Sequence, residues 1–328
     1  MVTTSHFFSL AGIAILAVTT TACSGNRVNY EEQVIDETYV HKYGVAVPSD
    51  YWTSSGEHGA IVSTMGDGVV VSRSYSAGTL DGDTTYTYPH SSQIQKTETY
   101  RMGNLVKVTE FFFDGTPKQE AAYQSPSPEM TTITTWYLGG TPRSTERYTD
   151  RQLVSGEYYT ALNQKDALVE NYQGTRLVRD DYGQITATDT IRNGQMELRQ
   201  TYHPNGSPKE TIPYVNGLPE GVKRTYQPAG EPDTVEQWAN GKQHGMTVIY
   251  QHGEKLAEVP YVNGEKHGIE YRYRDGATKV QQISWDAGDM HGPATTYIGD
   301  TAKTEWFYRD EPTTKTDYEF RTNKPIVR

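Results

Sequence analysis

The feature that most constrains the fold is a repeat of 23 or 24 residues in the carboxyl-terminal third of the chain. Each unit opens with an aromatic residue and a glycine-containing turn, and a second aromatic follows 12 positions after the first. Self-similarity at a fixed period indicates a repeat architecture, and one unit predicts two short strands and two turns. The opening aromatics are Tyr214, Trp238, Tyr261 and Trp285, and the second aromatics are Tyr226, Tyr250, Tyr273 and Tyr297.

The same period continues toward the amino terminus with looser spacing. The unit from Tyr172 to Ile191, at 19 residues, is clearly short. About eleven units occupy residues 51–328, and residues 202–308 are the most regular. The earlier units begin at or near Tyr51, Tyr75, Tyr100, Tyr123, Tyr148, Tyr172 and Ile191.

The turns of these units predict β-hairpins. Asn216, Asn240 and Asn263 each precede a glycine, and an Asn-Gly pair between β-prone stretches is the strongest short-range hairpin signal. Helix signals are nearly absent beyond the leader, because Gly or Pro interrupts almost every window. We therefore expect an all-β fold, an elongated, single-layer, twisted antiparallel sheet of tandem β-hairpins, in which aromatic ladders between strands serve as a thin core.

The composition agrees with a thin sheet rather than a thick globular core. Hydrophobic residues make up 35% of the chain, mean hydropathy is −0.72, and tyrosine is the main aromatic, with 25 Tyr against 7 Phe and 5 Trp. Tyrosine suits half-buried strand surfaces. A net charge of −11 and the lack of any basic run disfavour binding to nucleic acid or to an anionic membrane surface.

The amino terminus predicts export and lipid anchoring. An apolar run over residues 7–18 is too short to span a bilayer but fits a signal peptide, which we assign to residues 1–22. The "TTAC" sequence ending at Cys23 resembles the bacterial lipobox, which implies lipidation of Cys23 and, with Ser24 next, sorting to the outer membrane of a host that has one. Residues 23–50 then form a polar, lipid-anchored tether. An ordinary cleaved signal and an unmodified thiol are the alternatives.

The stretch "YVNGEKHGIEYRYRDG", from Tyr261 to Gly276, and its copies resemble the bacterial variant of the MORN repeat. The likeness is close from Tyr202 to Tyr297 and looser upstream. It implies an elongated, groove-shaped array of hairpins that contacts proteins or lipids and has no catalytic centre. Some relatives of this kind are described as antitoxin-like, which implies a cytoplasmic partner, whereas the leader of this chain predicts export.

Few residue patterns suggest chemistry. Four histidines precede a glycine at equivalent positions of the repeat, but these positions lie two strands apart, about 9–10 Å, which is too far for shared zinc ligation. We interpret them as turn residues and expect no metal and no cofactor. The carboxylates of Glu110, Asp180 and Asp181 form no acid and base pair, and no hydrolase, phosphate-loop or metalloprotease motif is present. We therefore expect no enzyme. The four histidines are His58, His244, His267 and His291.

A single-layer sheet leaves one face open, and an aromatic surface rimmed by polar groups is a natural contact area. We expect the eight aromatics of the regular repeats, from Tyr214 to Tyr297, to form this contact surface. The chain would then be a membrane-anchored, non-catalytic scaffold that binds a protein or another envelope component. The alternatives are a repeat module that binds glycan or choline-type ligands, and an antitoxin-like protein that binds a cytoplasmic partner.

Overall fold

The computed structural model describes residues 33–123 and 130–323, and within them the chain is almost entirely β-structure, with 28 strands and two short helices. The helices are α1 (Ser49–Ser54) and α2 (Lys315–Thr322). The strands are β1 (Val34–His41), β2 (Ala46–Val47), β3 (Gly59–Met65), β4 (Val70–Ser76), β5 (Thr79–Thr87), β6 (Ile94–Arg101), β7 (Asn104–Phe111), β8 (Pro117–Tyr123), β9 (Met130–Trp136), β10 (Pro142–Thr149), β11 (Gln152–Tyr159), β12 (Lys165–Glu170), β13 (Gln173–Arg179), β14 (Ile185–Arg192), β15 (Gln195–Tyr202), β16 (Pro208–Val215), β17 (Leu218–Pro219), β18 (Gly221–Tyr226), β19 (Pro232–Ala239), β20 (Lys242–Gln243), β21 (Gly245–Gln251), β22 (Glu254–Val262), β23 (Glu265–Lys266), β24 (Gly268–Arg274), β25 (Thr278–Asp286), β26 (Asp289–Ile298), β27 (Thr301–Tyr308) and β28 (Glu311–Thr313).

The strands form one open antiparallel sheet in chain order. Each long strand pairs with the long strand before it and the one after it. The short strands β17, β20 and β23 have two residues each and pair with the preceding long strand at a hairpin turn. At the ends, β1 pairs with β2 and β3, and β27 pairs with β26 and β28. The predicted fold class, a single-layer sheet of tandem hairpins, is confirmed.

The Asn-Gly turns have the predicted geometry. Asn216, Asn240 and Asn263 have φ of 52°, 50° and 53°, and the glycines after them also have positive φ. Two successive positive φ values define the type I′ turn, whose twist matches that of the flanking strands. The backbone N–H of Gly241 and of Gly264 also donates to a carbonyl of the preceding hairpin, at 3.0 and 2.8 Å. Successive turns are therefore tied together along one edge of the sheet.

A cross-strand pair of glycine and aromatic residue recurs along the sheet. Gly221 lies opposite Trp238, Gly245 opposite Tyr261, and Gly268 opposite Trp285. These three glycines have φ of 102°, 113° and 108°, a backbone conformation that residues with a side chain rarely adopt. The second glycine of each repeat is thus explained by its backbone conformation.

The sheet has an inner face and an outer face that differ in burial. Strand alternation and register place Val71, Ile133, Ile212 and Ile283 on one face, which we call the inner face, and nearly all buried strand residues share it. Its densest apolar cluster combines Leu153, Tyr158, Val169 and Ile191. A third of the buried side chains are polar or charged, 8 against 15 hydrophobic ones. The interior therefore depends on polar pairing as well as on apolar packing.

The predicted boundary between tether and repeats is wrong. We placed a polar tether at residues 23–50, but β1 and β2 lie within it, and β1 pairs with β3 along seven positions. Within the described residues, the sheet therefore begins at Val34 rather than at Tyr51, because β1 pairs with β3 and extends the sheet. The predicted signal peptide and Cys23 lie outside the described residues.

Each end of the sheet carries a short helix that the sequence analysis did not predict. Trp52 of α1 is buried between Tyr39 and Tyr75, with ring centroids 5.9 and 6.4 Å away. Tyr318 of α2 packs on Trp306 at 5.2 Å. Each helix therefore packs through an aromatic side chain on strands near its end of the sheet.

The predicted aromatic ladders are also wrong. Among the described residues, ring contacts occur near the two ends of the sheet and between Tyr88 and Phe113, and none joins two of the eight aromatics of the regular repeats. The reason is spacing: equivalent rings on one face are two strands apart, roughly 9.4–9.8 Å. Lysine and carboxylate side chains contact these rings instead, as Lys223 and Glu236 contact Trp238.

Candidate functional site

The structure divides the eight predicted contact residues between the two faces of the sheet. The four opening aromatics lie on the inner face, each in register with its neighbours on that face. The four second aromatics project from the opposite side, which we call the outer face. They therefore cannot form the single surface that the sequence predicted. The inner set is Tyr214, Trp238, Tyr261 and Trp285, and the outer set is Tyr226, Tyr250, Tyr273 and Tyr297.

The inner aromatics are engaged within the chain. The indole Nε1 of Trp238 donates to Glu236 at 2.8 Å, and the ammonium of Lys223 lies 5.5 Å from its ring centroid. Lys266 lies 4.2 Å from the ring centroid of Trp285. Burial raises the pKa of the hydroxyl groups of Tyr214 and Tyr261. These four side chains are part of the packing of the inner face.

The outer aromatics differ among themselves in exposure and belong to a longer row. Tyr226 and Tyr250 are half-buried, Tyr297 is 38% exposed, and Tyr273 is buried, with its hydroxyl donating to Glu258 at 2.5 Å. The same position on the outer face is aromatic in four earlier hairpins. The sequence analysis missed these residues, although each stands directly before the turn that follows its strand. They are Phe111, Trp136, Tyr159 and Tyr202.

A buried ionic network crosses the middle of the inner face. Asp189 is fully buried and accepts hydrogen bonds from Arg199 at 2.8 and 3.2 Å, and it lies 3.5 Å from Arg176. Arg176 also donates to Glu146 at 2.7 Å. Two carboxylates and two guanidinium groups balance each other in charge, which buried ions require. This network holds β10, β13, β14 and β15 in register.

Tyrosines complete the carboxylate sites of this face. Glu146 accepts hydrogen bonds from Tyr158 at 2.9 Å and Tyr148 at 2.7 Å. Glu98 likewise accepts from Tyr86 and Tyr100 and pairs with Lys96. Burial and the nearby carboxylate raise the pKa of Tyr148 and Tyr158 well above the ordinary tyrosine value. The tyrosine hydroxyls are therefore held as hydrogen-bond donors, which is a structural arrangement.

A further inner-face carboxylate lies in the regular repeats. Glu270 is 2% exposed, accepts from Arg272 at 2.7 Å and from Lys266 at 3.0 Å, and has a lowered pKa despite its burial. The hydrogen bonds from these two cations offset the penalty of burial and keep the carboxylate charged. Lys266 thus joins Glu270 to the ring of Trp285.

The histidines and the carboxylates named from the sequence have local roles. The Nδ1 atoms of His58 and His244 accept from the backbone of the next turn, at Ala77 and Asn263, at 3.2 and 3.4 Å. His267 lies 3.2 Å from Asp286, and His291 packs on Tyr308 and Tyr318. Asp180 caps its own loop, Asp181 pairs with Arg143, and Glu110 is exposed. Across residues 33–123 and 130–323, no group of three or more His, Cys, Asp or Glu side chains could hold a metal ion.

Comparisons with known proteins provide no assignment. No known protein family matches the sequence, and no curated protein matches it. Among solved structures, the chain is similar to a porin-like protein from Bacteroides uniformis, with 11% identity, a TM-score of 0.16, and coverage of 75% of this chain and 89% of that one. It is similar to BamB from Moraxella catarrhalis with 7% identity, a TM-score of 0.14, and coverage of 77% and 82%. Neither likeness informs fold or function at such TM-scores, and the resemblance to MORN repeats stays a prediction.

The described ranges contain no helix with the length and apolar character needed to cross a membrane.

Proposed function

We propose that the protein is an exported, membrane-anchored, non-catalytic scaffold that binds a protein partner or another envelope component through the outer face of its sheet. The observation that carries this proposal is the row of eight aromatics on that face, which runs from Phe111 to Tyr297 with one residue per hairpin except at β13, where Arg179 takes the position. Aromatic residues are enriched at protein interfaces because they present a large contact area with a polar tip.

The outer face is favoured over the inner face for this contact. The inner aromatics already meet lysines, carboxylates and glycines of their own chain, so binding there would have to break existing interactions. Trp238 and Trp285 also have lysine ammonium groups over their rings, the place that a choline group would take in an aromatic cage. The outer row includes Tyr297, which is 38% exposed, whereas the four inner aromatics are all half-buried.

Photocrosslinking in the intact envelope tests the contact. A photoreactive amino acid replaces Tyr226, Tyr250 or Tyr297 on the outer face, and Gln281 on the inner face serves as the matched control. We expect one discrete crosslinked species from the outer positions and none from Gln281. Equal yields from both faces, or none from the outer positions, would contradict the proposed role of the outer face.

Membrane anchoring rests on the sequence around Cys23 and is tested separately. Metabolic labelling with a clickable fatty acid should mark the full chain, and Cys23→Ser should abolish the label and move the protein to the soluble envelope fraction. Two or more acyl chains hold a protein stably on a bilayer, whereas one does not. An unlabelled wild-type protein would refute anchoring, and retention in the cytoplasm would favour the antitoxin-like alternative.

A further inference from the structure

One stretch of the sheet departs from the repeat. At the position where Phe111, Trp136 and Tyr159 precede their turns, β13 carries Arg179 instead of an aromatic, and the next hairpin returns to Tyr202. The distance from Tyr159 to Arg179 is also short, at 20 residues, whereas the other spacings in this row are 23 to 25. The irregular unit noted in the sequence therefore coincides with a specific change of side chain.

Arg179 borders an open depression of about 120 Å³ that is lined by four arginines, Arg143, Arg176, Arg179 and Arg199. This volume is well above the roughly 10–15 Å³ needed for one water. Glu146 is the one carboxylate in its lining. A concentration of guanidinium groups is unexpected in a chain with a net charge of −11.

The hydrogen bonds of Arg179 are incomplete. Its side chain is 9% exposed, its Nη2 pairs with Asp166, and its Nη1 donates to the carbonyl of Gly183 at 2.7 Å. Its Nε is buried and has no hydrogen-bond partner. A buried donor without a partner is unfavourable. The guanidinium group of Arg179, which lines the depression, therefore has one N–H group that the chain leaves without an acceptor.

The guanidinium group of the neighbouring Arg143 is positioned by hydrogen bonds within the chain. Its Nε donates to Thr135 at 3.2 Å, and its Nη1 donates to the carbonyl of Arg179 at 3.3 Å and to Asp181 at 3.1 Å. The two guanidinium groups are thus positioned together by the backbone of β13. Their carboxylate partners are accessible, since the side chains of Asp166 and Asp181 are 37% and 45% exposed. Exposed partners of this kind contribute little and can swing into solvent.

The charges and the shape of the guanidinium groups together indicate the class of ligand. Arg143, Arg176, Arg179 and Arg199 supply four positive charges, and their partners Glu146, Asp166, Asp181 and Asp189 supply four negative ones. A monoanion that displaces Asp166 or Asp181 from its arginine leaves this balance unchanged, and a carboxylate matches the planar fork of a guanidinium group.

We propose that this depression binds a single carboxylate group through Arg143 and Arg179, supplied by an acidic side chain of the partner. The carboxylate accepts the free Nε–H of Arg179 and takes the place of Asp166. This assignment rests on the proposed function, because it names the chemistry of a group on the partner. Its residues are distinct from the aromatics of the outer row, although Arg179 takes the position of one of them.

The test uses the full chain and two matched probes, N-acetylglutamate α-amide and its neutral counterpart N-acetylglutamine α-amide. We expect the acid to shift the Nε–H resonance of Arg179 saturably in NMR spectra, and the neutral amide to leave it unchanged. A blocked acidic heptapeptide, run beside the single residue, separates a free acid from a side chain within a polypeptide. No saturable shift with either acid, or equal shifts with the neutral amide, would overturn the assignment.

Calorimetry measures the affinity of three variants for the acidic probe. Arg179→Gln should weaken binding about tenfold or more, as expected for a lost hydrogen bond to a charged group. Asp166→Asn should strengthen binding several-fold because it removes the competing carboxylate, a gain that a purely structural role would not produce. Arg192→Gln, at an exposed arginine of the neighbouring strand, should change nothing. If circular dichroism shows that Arg179→Gln does not fold, Arg143→Gln replaces it.

Each result decides the assignment separately from the scaffold proposal. Unchanged affinity in Arg179→Gln, or weaker binding in Asp166→Asn, would refute the carboxylate site. Probe binding without outer-face crosslinks would keep the site and refute the outer-face contact. Outer-face crosslinks without probe binding would support the outer-face contact and refute the carboxylate site.

Discussion

Replacing Asp189 by asparagine should destabilise the sheet strongly. The Asp189 carboxylate is fully buried, accepts from Arg199 at 2.8 and 3.2 Å, and lies 3.5 Å from Arg176. Asparagine keeps the shape but removes the charge and turns an amide donor toward a guanidinium group. Arg176 retains Glu146, whereas Arg199 loses its carboxylate. Removing one partner of a buried ion pair costs about 3–5 kcal/mol, and we expect Asp189→Asn to fall in this range.

Urea denaturation followed by tryptophan fluorescence measures this loss in the free energy of unfolding. Because repeat arrays depend on nearest-neighbour contacts, hydrogen exchange should also show the greatest loss of protection in β13, β14, β15 and β16. The matched control is Glu197→Gln, which breaks an exposed pair with Arg192 and should cost less than about 1 kcal/mol. The double variant Asp189→Asn with Arg199→Gln should be less destabilised than the sum of the single variants.

A free energy of unfolding for Asp189→Asn within about 1 kcal/mol of the wild-type value, which is the range of exposed ion pairs, would refute this prediction. Such a result would mean that the network contributes no more than surface charges. The apolar cluster around Val169 would then account for the stability of the central hairpins.

Three further predictions concern single sites. Burial and the Glu98 carboxylate raise the pKa of Tyr86 from 10.0 to about 12. The contribution of the neutral Tyr86 hydroxyl to stability is therefore complete below pH 10 and is lost as the pH rises toward 12. Absorbance titration should show this late ionisation of Tyr86, and a pKa near 10 would contradict the prediction. Gly174→Ala should destabilise the folded chain by about 1–3 kcal/mol or more. The reason is that φ of Gly174 is +144° and the new Cβ would lie 2.2 Å from the carbonyl oxygen of Leu168. An unchanged thermal unfolding temperature would refute this prediction. Choline and saccharides should cause no saturable quenching of tryptophan fluorescence, because Lys223 and Lys266 already occupy the rings of Trp238 and Trp285; clear saturation would favour a ligand-binding module.

Part of the division between faces could have been predicted from spacing. Across a two-residue hairpin turn, residues an odd number of positions apart share a face, as Asp286 and Asp289 do. Trp285 and Tyr297 are 12 positions apart, an even number, so they belong to opposite faces. The sequence analysis grouped them by type and position in the repeat and did not apply this parity.

Other features of the candidate sites depend on long-range pairing. Asp189, Arg176 and Glu146 are 13 and 30 positions apart and occupy degenerate units, so no local pattern connects them. Arg179 is likewise one charged residue among many until its position in the outer row and the buried Nε are known. The tether was misjudged for a related reason, since β1 is polar and becomes a strand through its pairing with β3.

By itself, the sequence determined the all-β class, the hairpin period and the Asn-Gly turns, because these depend on local backbone preferences and on the fixed spacing of aromatics. Only the tertiary structure decided which side chains meet on each face. The loops differ in length by a residue, and the bulges and register of the strands absorb the difference. Since a shift of one residue moves a side chain to the other face, contacts between hairpins are set by the pairing of the whole sheet.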